Sequence, residues 1–159
     1  MFMDFFAPKR LSCGVLVLNA ERELLLCHVT GHHHWDLPKG GIAAGETPRE
    51  AALRETHEET SLRLVADDLL DLGRFAYRPR KDLHLFAVLS ERFDAALCHC
   101  DGHYIDHWGR DRPEMDNFEW TAFDRVQRRC ARHMAEVLAS HLSLPALLGR
   151  LRDGPGSAV

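Results

Sequence analysis

Hydrophobic and polar positions alternate along this chain in runs of two kinds. Ser12 to Leu18 (SCGVLVL) is almost continuously apolar, and Leu24 to Val29 (LLLCHV) repeats the pattern after the polar turn Asn19 to Glu23. Short apolar runs rich in branched residues and bounded by turn residues predict buried strands, here an antiparallel pair. Leu72 to Tyr77 and Leu83 to Leu89 are two more strand runs, with Phe75 and Tyr77 on one face. The link Arg78-Pro79-Arg80-Lys81-Asp82 makes them a hairpin with a cationic tip. Leu62 to Val65 reads as a short strand and Ala66 to Leu70 as a turn. A further strand follows Glu114 and contains Trp120, after a long loop from Glu91 to Pro113 that holds a strand fragment. The period then changes to 3.6. Helical structure begins at Asp124, and Ala131 to Leu142 places Met134, Val137, Leu138 and Leu142 on one core-facing stripe. Pro145 interrupts it, and Leu144 to Leu151 forms a last helix. The tail from Gly154 to Val159 carries no structural signal, and Phe2, Phe5 and Phe6 are expected to dock on the body.

Between the first two strands and the hairpin lies a stretch of different character, GGIAAGETPREAALRETHEETSL, from Gly40 to Leu62. Gly40, Gly41 and Gly45 let the backbone bend tightly and approach a ligand. Thr47 is an N-cap, Pro48 suits the first helical position, and Glu50 completes a capping box, so a helix is expected from Pro48 to Thr60. On it Glu55, Glu58 and Glu59 stand at i, i+3 and i+4 and share one face, while Leu53 and Thr56 point to another. Carboxylates so arranged repel one another. A hard cation such as Mg²⁺ or Mn²⁺ relieves that repulsion and is completed by substrate phosphates. Arg54 lies i, i+4 from Glu58 and can hold a carboxylate in place. A solvated acidic helix face is the plainer account of the glutamates alone; the glycine loop ahead of them favours a metal site.

Gly40, then five residues, Glu46, then seven residues, and Arg54-Glu55-Thr56-His57-Glu58-Glu59-Thr60-Ser61-Leu62 resemble the Nudix box, G-x5-E-x7-R-E-U-x-E-E-x-G-U. Thr56 replaces an aliphatic residue, and Ser61 replaces a glycine at a position that often needs a left-handed backbone. The resemblance implies a Nudix α/β/α sandwich with a mixed β-sheet between helices. It also implies a hydrolase of a nucleoside diphosphate linked to some group X, with Mg²⁺ (or Mn²⁺) held by Glu55, Glu58, Glu59 and the Gly40 carbonyl, and Arg54 orienting a glutamate. The segment His33-His34-Trp35-Asp36-Leu37-Pro38-Lys39-Gly40 looks especially like diadenosine tetraphosphate hydrolases. In that comparison Lys39 contacts phosphate, His34 borders the nucleotide cleft with its neighbouring histidines, and Tyr77 matches a tyrosine. Near such a site Arg78 and Lys81 of the hairpin can meet the polyphosphate. Glu114, six positions before Trp120, fits a family carboxylate that reaches the metal from outside the box, with Glu119 as runner-up. The proton acceptor is one of Glu58, Glu59 and Glu114.

Composition narrows the alternatives. The 159 residues suit one domain with its core at about 11–151, and a net charge of −4 carries no nucleic-acid footprint. Five cysteines form no paired framework, which points to a reducing cytoplasm. No run is long enough for a membrane helix, and Met1 to Arg10, with Asp4 and Pro8, is no convincing leader. Cys98, His99, Cys100, His103 and His107 lack zinc-ligand spacing, and three adjacent histidines cannot all point one way. The expected substrate is a dinucleoside polyphosphate or another nucleoside polyphosphate, including the capped end of RNA. Alternatives are an oxidised nucleoside triphosphate, a nucleotide sugar such as ADP-ribose, or nucleotide sensing without catalysis. The chain is expected to act as a monomer or homodimer.

Overall fold

β1 (Arg10–Asn19) is the axis of the molecule because it has almost no polar face to leave in water. In the computed structural model, which describes residues 8–154, Cys13 and Val15 to Leu18 are 0% exposed. β6 (Lys81–Leu89) runs parallel to β1 from Arg10↔Lys81 to Leu18↔Leu89. β1 also pairs antiparallel with two strands at different heights. β2 (Glu23–Val29) takes its C-terminal end at Leu18↔Leu24, and β4 (Lys39–Gly41) takes the other end at Cys13↔Gly40. β3 (Trp35–Asp36) and β9 (Met115–Ala122) both pair β2, and β5 (Leu70–Arg78) pairs β6, giving a mixed seven-stranded sheet. Phe2, Phe5 and Phe6, expected to dock on the body, and the tail beyond Gly154 lie outside the described residues.

Alternation along the strands feeds two apolar layers. Leu16, Leu18, Leu24, Leu26, Leu83 and Leu85 meet Val126 of α2 (Phe123–Arg129), Met134 and Val137 of α3 (Arg132–His141) and Leu148 of α4 (Leu144–Arg152). On the other face Cys13, Val15, Val17, Leu25 and Phe86 meet Ala51 and Ala52 of α1 (Pro48–Thr60), whose small side chains allow close approach. The result is the expected α/β/α sandwich. Leu16→Ala should cost about 2–5 kcal/mol, because the sheet beneath it cannot collapse into the space. Chemical denaturation checks this; a loss below 1 kcal/mol would contradict the packing.

Helix α1 has the bounds that its sequence implies. Thr47 Oγ1 accepts from the Glu50 N–H at 3.1 Å, and Pro48 opens the first turn. At the other end Ser61 takes the left-handed conformation (φ 68°), and its N–H donates to the His57 carbonyl at 2.8 Å. Serine thus occupies the turn that glycine would normally supply.

Other elements differ from the sequence reading. Leu62 to Val65 is not a strand: Leu62 and Leu64 pack against the α1-side core, and Ala66–Asp68 is a single 3₁₀ turn. Arg49 ties that segment down by donating to the carbonyls of Ala66 (2.9 Å) and Leu69 (2.8 Å). The long loop contains a 3₁₀ turn at Ala95–Leu97 and a small hairpin of β7 (His103–Ile105) and β8 (Asp111–Pro113). Among the described residues no helix is long and apolar enough to cross a membrane.

Candidate active site

Arg54 organises the acidic end of the site. Its guanidinium grips Glu46 through two bonds, Nε to Oε2 at 2.7 Å and Nη2 to Oε1 at 2.9 Å. It also donates through Nη1 to Glu55 at 2.8 Å and, at a longer 3.3 Å, to Glu58. Nη2 reaches the Gly41 carbonyl at 3.0 Å, which fastens the glycine loop to the helix. The hydrogen bond from Arg54, aided by the Ala43 N–H, pulls the Glu46 carboxyl down to about 2. Glu46 raises the Arg54 pKa in return. Bidentate pairing of this kind fixes both geometry and charge.

Glu59 points the other way. It is only 4% exposed, and its Oε2 accepts the Lys39 N–H at 3.0 Å. Burial pushes its carboxyl up to about 8; the Lys39 N–H and ammonium pull against that shift, while Glu114 and Glu55 add to it. Glu55 is also raised, first by burial, with the Arg54 bond opposing and Glu58 and Glu114 reinforcing. Gly40 sits directly against Glu55: a Cβ there would lie 2.1 Å from the Glu55 Cδ. Gly40 is therefore required by the close approach of a carboxylate to backbone.

With Arg54 holding Glu55 and Glu58, and Lys39 holding Glu59, the described residues contain no three Asp, Glu, His or Cys groups already gathered as a ligand cluster. The donor chemistry nonetheless fits a hard divalent cation. The donors on α1 and the glycine loop are carboxylate and carbonyl oxygens, and buried Glu59 is destabilised in its charged form. That has a sign. Between its ordinary 4.5 and about 8, folded Glu59 keeps a proton that the unfolded chain has lost. Stability therefore falls as pH rises through that window, by up to about 1.4 kcal/mol per pH unit for this group. Chelator-treated protein should lose Tm from pH 5 to 8, and Mg²⁺ should restore more of it at pH 8 than at pH 5. A flat Tm with no Mg²⁺ effect would contradict this.

A cleft of about 360 Å³ is lined by Glu59, though not by Glu55, Glu58 or Gly40, and by His34, Lys39, Tyr77, Arg78, Lys81 and Glu114 among others. The Lys39 ammonium is bound at 2.9 Å to Asp36, itself 5% exposed. Burial opposes the Lys39 charge, but Asp36, Tyr77 and Glu59 together outweigh it and the pKa is raised. Lys81 is lowered, first by burial and then by Lys39, Arg78 and Arg10. Tyr77 is buried, edge-on to His133 at 6.0 Å, with the Arg78 guanidinium 5.1 Å over its ring. Burial lowers the His34 pKa, and its ring lies 4.9 Å from that of His32.

Some residues that the sequence singled out go elsewhere. Gly41 does not line this cleft, and Glu119 is paired with Arg129 at 2.6 Å. Cys98 packs with Cys27, Met115 and Phe118, whereas Cys100 Sγ donates to the Gly102 carbonyl. His103 faces Asp111, and His107 lies against Trp108. Two contributors were not singled out for these roles: Glu46 as the brace of Arg54, and Asp36 as the buried anchor of Lys39. The i, i+3 spacing of Asp36 and Lys39 was the available signal.

The family model of the NUDIX domain matches residues 8–140. The chain belongs to the Nudix family. It is 43% identical over 138 residues to an RNA pyrophosphohydrolase of Azorhizobium caulinodans, covering 75% of this chain and 81% of that one. It is 36% identical over 127 residues to an uncharacterized 17.7 kDa protein of Enterobacteria phage T4, covering 73% of this chain and 84% of that one. In fold it is similar to an Ap4A hydrolase of C. elegans, with a TM-score of 0.61 and 20% identity over 87% of this chain and 98% of that one. This Nudix protein is a hydrolase.

Proposed function

We propose that this Nudix hydrolase performs Mg²⁺-dependent cleavage of a phosphoanhydride in a nucleoside polyphosphate, with a dinucleoside polyphosphate as the preferred class. The observation that carries the reading is the crowding of Lys39, Lys81 and Arg78 in one cleft, where burial, joined by Lys39 and Arg78, lowers the Lys81 pKa. Cations held together against mutual repulsion are stabilised by an extended anion such as a phosphate chain. The overall charge of −4 favours a small nucleotide over a polymer that needs a basic stripe.

Glu55, Glu58, Glu59, Glu114 and the Gly40 carbonyl would hold the cation, and Mn²⁺ suits the same oxygen donors. When bound, the cation neutralises phosphate charge and lowers the pKa of water. The chain's own residues supply the rest. Lys39 and Lys81, with Arg78, hold phosphate oxygens and the departing phosphate. Tyr77 and His34 border the base. Arg54 keeps Glu55 and Glu58 oriented, and one of Glu58, Glu59 and Glu114 accepts the proton of the attacking water. Free cysteines at all five positions agree with a reducing, cytoplasmic setting.

A second reading, the 5′-triphosphate end of RNA, is favoured by the relatives named RNA pyrophosphohydrolase. The test is turnover with Mg²⁺ of diadenosine tetraphosphate, ADP-ribose, an oxidised guanosine triphosphate and 5′-triphosphorylated RNA, products resolved by chromatography. Preference for the dinucleotide, yielding ATP and AMP, supports the first reading; preference for RNA replaces it with the second. Lys81→Ala should raise KM for the preferred substrate about tenfold, the loss of one charged contact to phosphate.

A further inference from the structure

Three glycines among the described residues leave no free room for a side chain. A Cβ would lie 2.7 Å from the Lys39 Cβ at Gly14, 2.1 Å from the Glu55 Cδ at Gly40, and 3.1 Å from the Glu114 Oε2 at Gly102. None of the three takes a left-handed backbone, the usual reason for a glycine. Each instead faces a side chain proposed for the hydrolytic site. Gly14 and Gly40 belong to the paired strands β1 and β4, but Gly102 stands in the long loop, outside any glycine motif.

Gly102 immediately precedes β7 and Glu114 immediately follows β8, so the two meet at the base of this hairpin. The Glu114 N–H donates to the Gly102 carbonyl at 2.8 Å. The Gly102 side is in turn fastened to α1. The Asp101 N–H donates to the Glu58 carbonyl at 2.7 Å, the Gly102 N–H reaches the same oxygen at 3.4 Å, and the His99 N–H donates to the Thr60 carbonyl at 3.3 Å. These carbonyls belong to the last turn of the helix, where no intrahelical donor remains. On its other side Glu114 is held by its carbonyl, which accepts the Thr30 N–H at 3.1 Å. The loop thus joins the backbone of Glu58 to that of Glu114.

The Glu114 side chain then lies back over the loop. The three atoms nearest to a Cβ at Gly102 are its Oε2, its Cδ at 3.3 Å and its Cγ at 3.7 Å. Glu114 is exposed and lines the cleft with Glu59. An exposed glutamate has rotamer freedom to lose, and a flat backbone surface beneath it limits that freedom. We propose that Gly102 is a positioning residue of the hydrolytic site: its missing side chain seats the Glu114 carboxylate, and its peptide groups set Glu114 relative to Glu58. The inference rests on the reading of Glu114 as a ligand from outside the helix and deepens it. A glycine kept for a turn would need a positive φ, which Gly102 does not have.

Gly102→Ala should displace the Glu114 carboxylate by a few tenths of an ångström. Mn²⁺ titrated into chelator-treated protein without nucleotide, followed by electron paramagnetic resonance, should bind about tenfold more weakly, as for residues that orient metal ligands. With Mg²⁺, kcat should fall by a similar factor while KM for the nucleotide changes by less than about twofold. Glu114→Gln should weaken Mn²⁺ binding as well, and adding Gly102→Ala to it should cause no further loss, because both act through one carboxylate. If Gly102→Ala lowers Tm too far for titration, Gly102→Ala with Glu114→Ala should recover it; a Tm that stays low overturns the proposal. Unchanged Mn²⁺ affinity in folded Gly102→Ala, or an equal loss in the Glu114→Gln background, overturns the positioning role and leaves the hydrolase reading standing. Unchanged Mn²⁺ affinity in Glu114→Gln removes Glu114 from the ligands and the role of Gly102 with it. A wild type that neither binds Mn²⁺ nor cleaves any nucleotide overturns both readings.

Discussion

Glu58→Gln should lower kcat by about 10³, equivalent to about 4 kcal/mol of transition-state stabilisation, while the fold stays intact. Glu58 is the box glutamate held most loosely: its contacts to Arg54 are 3.3 and 3.4 Å, and 45% of its side chain is exposed. It can therefore turn to a cation with little loss of native contacts. Glutamine keeps the shape and removes the charge, and it also reduces repulsion with Glu55 one turn away. Denaturation midpoints should shift by no more than about 0.5 kcal/mol. Steady-state turnover with Mg²⁺, read beside Kd for the same nucleotide, separates two cases. A catalytic site loses turnover and keeps most binding; a sensing module would show no turnover to lose. Activity within tenfold of wild type would remove Glu58 from the proposed ligand set.

Gly40→Ala should reduce kcat/KM by about 10², with a much smaller effect on stability. The new Cβ would fall 2.1 Å from the Glu55 Cδ and 2.5 Å from its Oε1. The atoms in the way are the far end of a flexible side chain, so the clash is relieved by moving Glu55. That movement pulls Glu55 off Arg54, 2.8 Å away, and out of the place where it adjoins Gly40. Misplacing a reacting group by about 1 Å can cost 10²-fold in rate. Thermal melts and kinetics measured on the same preparation check the split. An equal collapse of both would mean that Gly40 serves β4 pairing with Cys13 and not the carboxylate. A normal rate would mean that Glu55 does not act from this position.

The two substitutions test different kinds of information. The spacing of Arg54, Glu55, Glu58 and Glu59 was legible because a helix is local: 3.6 residues per turn converts sequence separation into angle. The cap at Thr47 and the left-handed turn at Ser61 are local in the same way. Glu46 was recognisable as part of the box, but its grip on Arg54 crosses from loop to helix, and spacing does not report such a contact. Glu114 and Glu119 were competing choices for the outer carboxylate. The structure puts Glu114 beside the cleft, whereas Arg129 of α2 draws Glu119 away.

By itself the sequence determined the mixed α/β class, the buried strands β1, β2 and β6, the helix α1 and the stripe of glutamates upon it. Each follows from a short-range period or from a continuous apolar run that only burial satisfies. Tertiary structure alone decided the rest. It made Leu62 to Val65 a tethered segment, since Arg49 captures the carbonyls that follow it and its leucines have a core to enter. It created β3 and β4, two and three residues long, which are too short to show a period and exist only because β2 and β1 offer an edge. It buried Glu59 against the Lys39 backbone and locked the Lys39 ammonium onto Asp36. It also set the Trp108 hairpin beside the cleft that holds Lys39 and Glu59. Pairings and burial of this kind depend on residues far apart in the chain, and no local pattern encodes the distance between them.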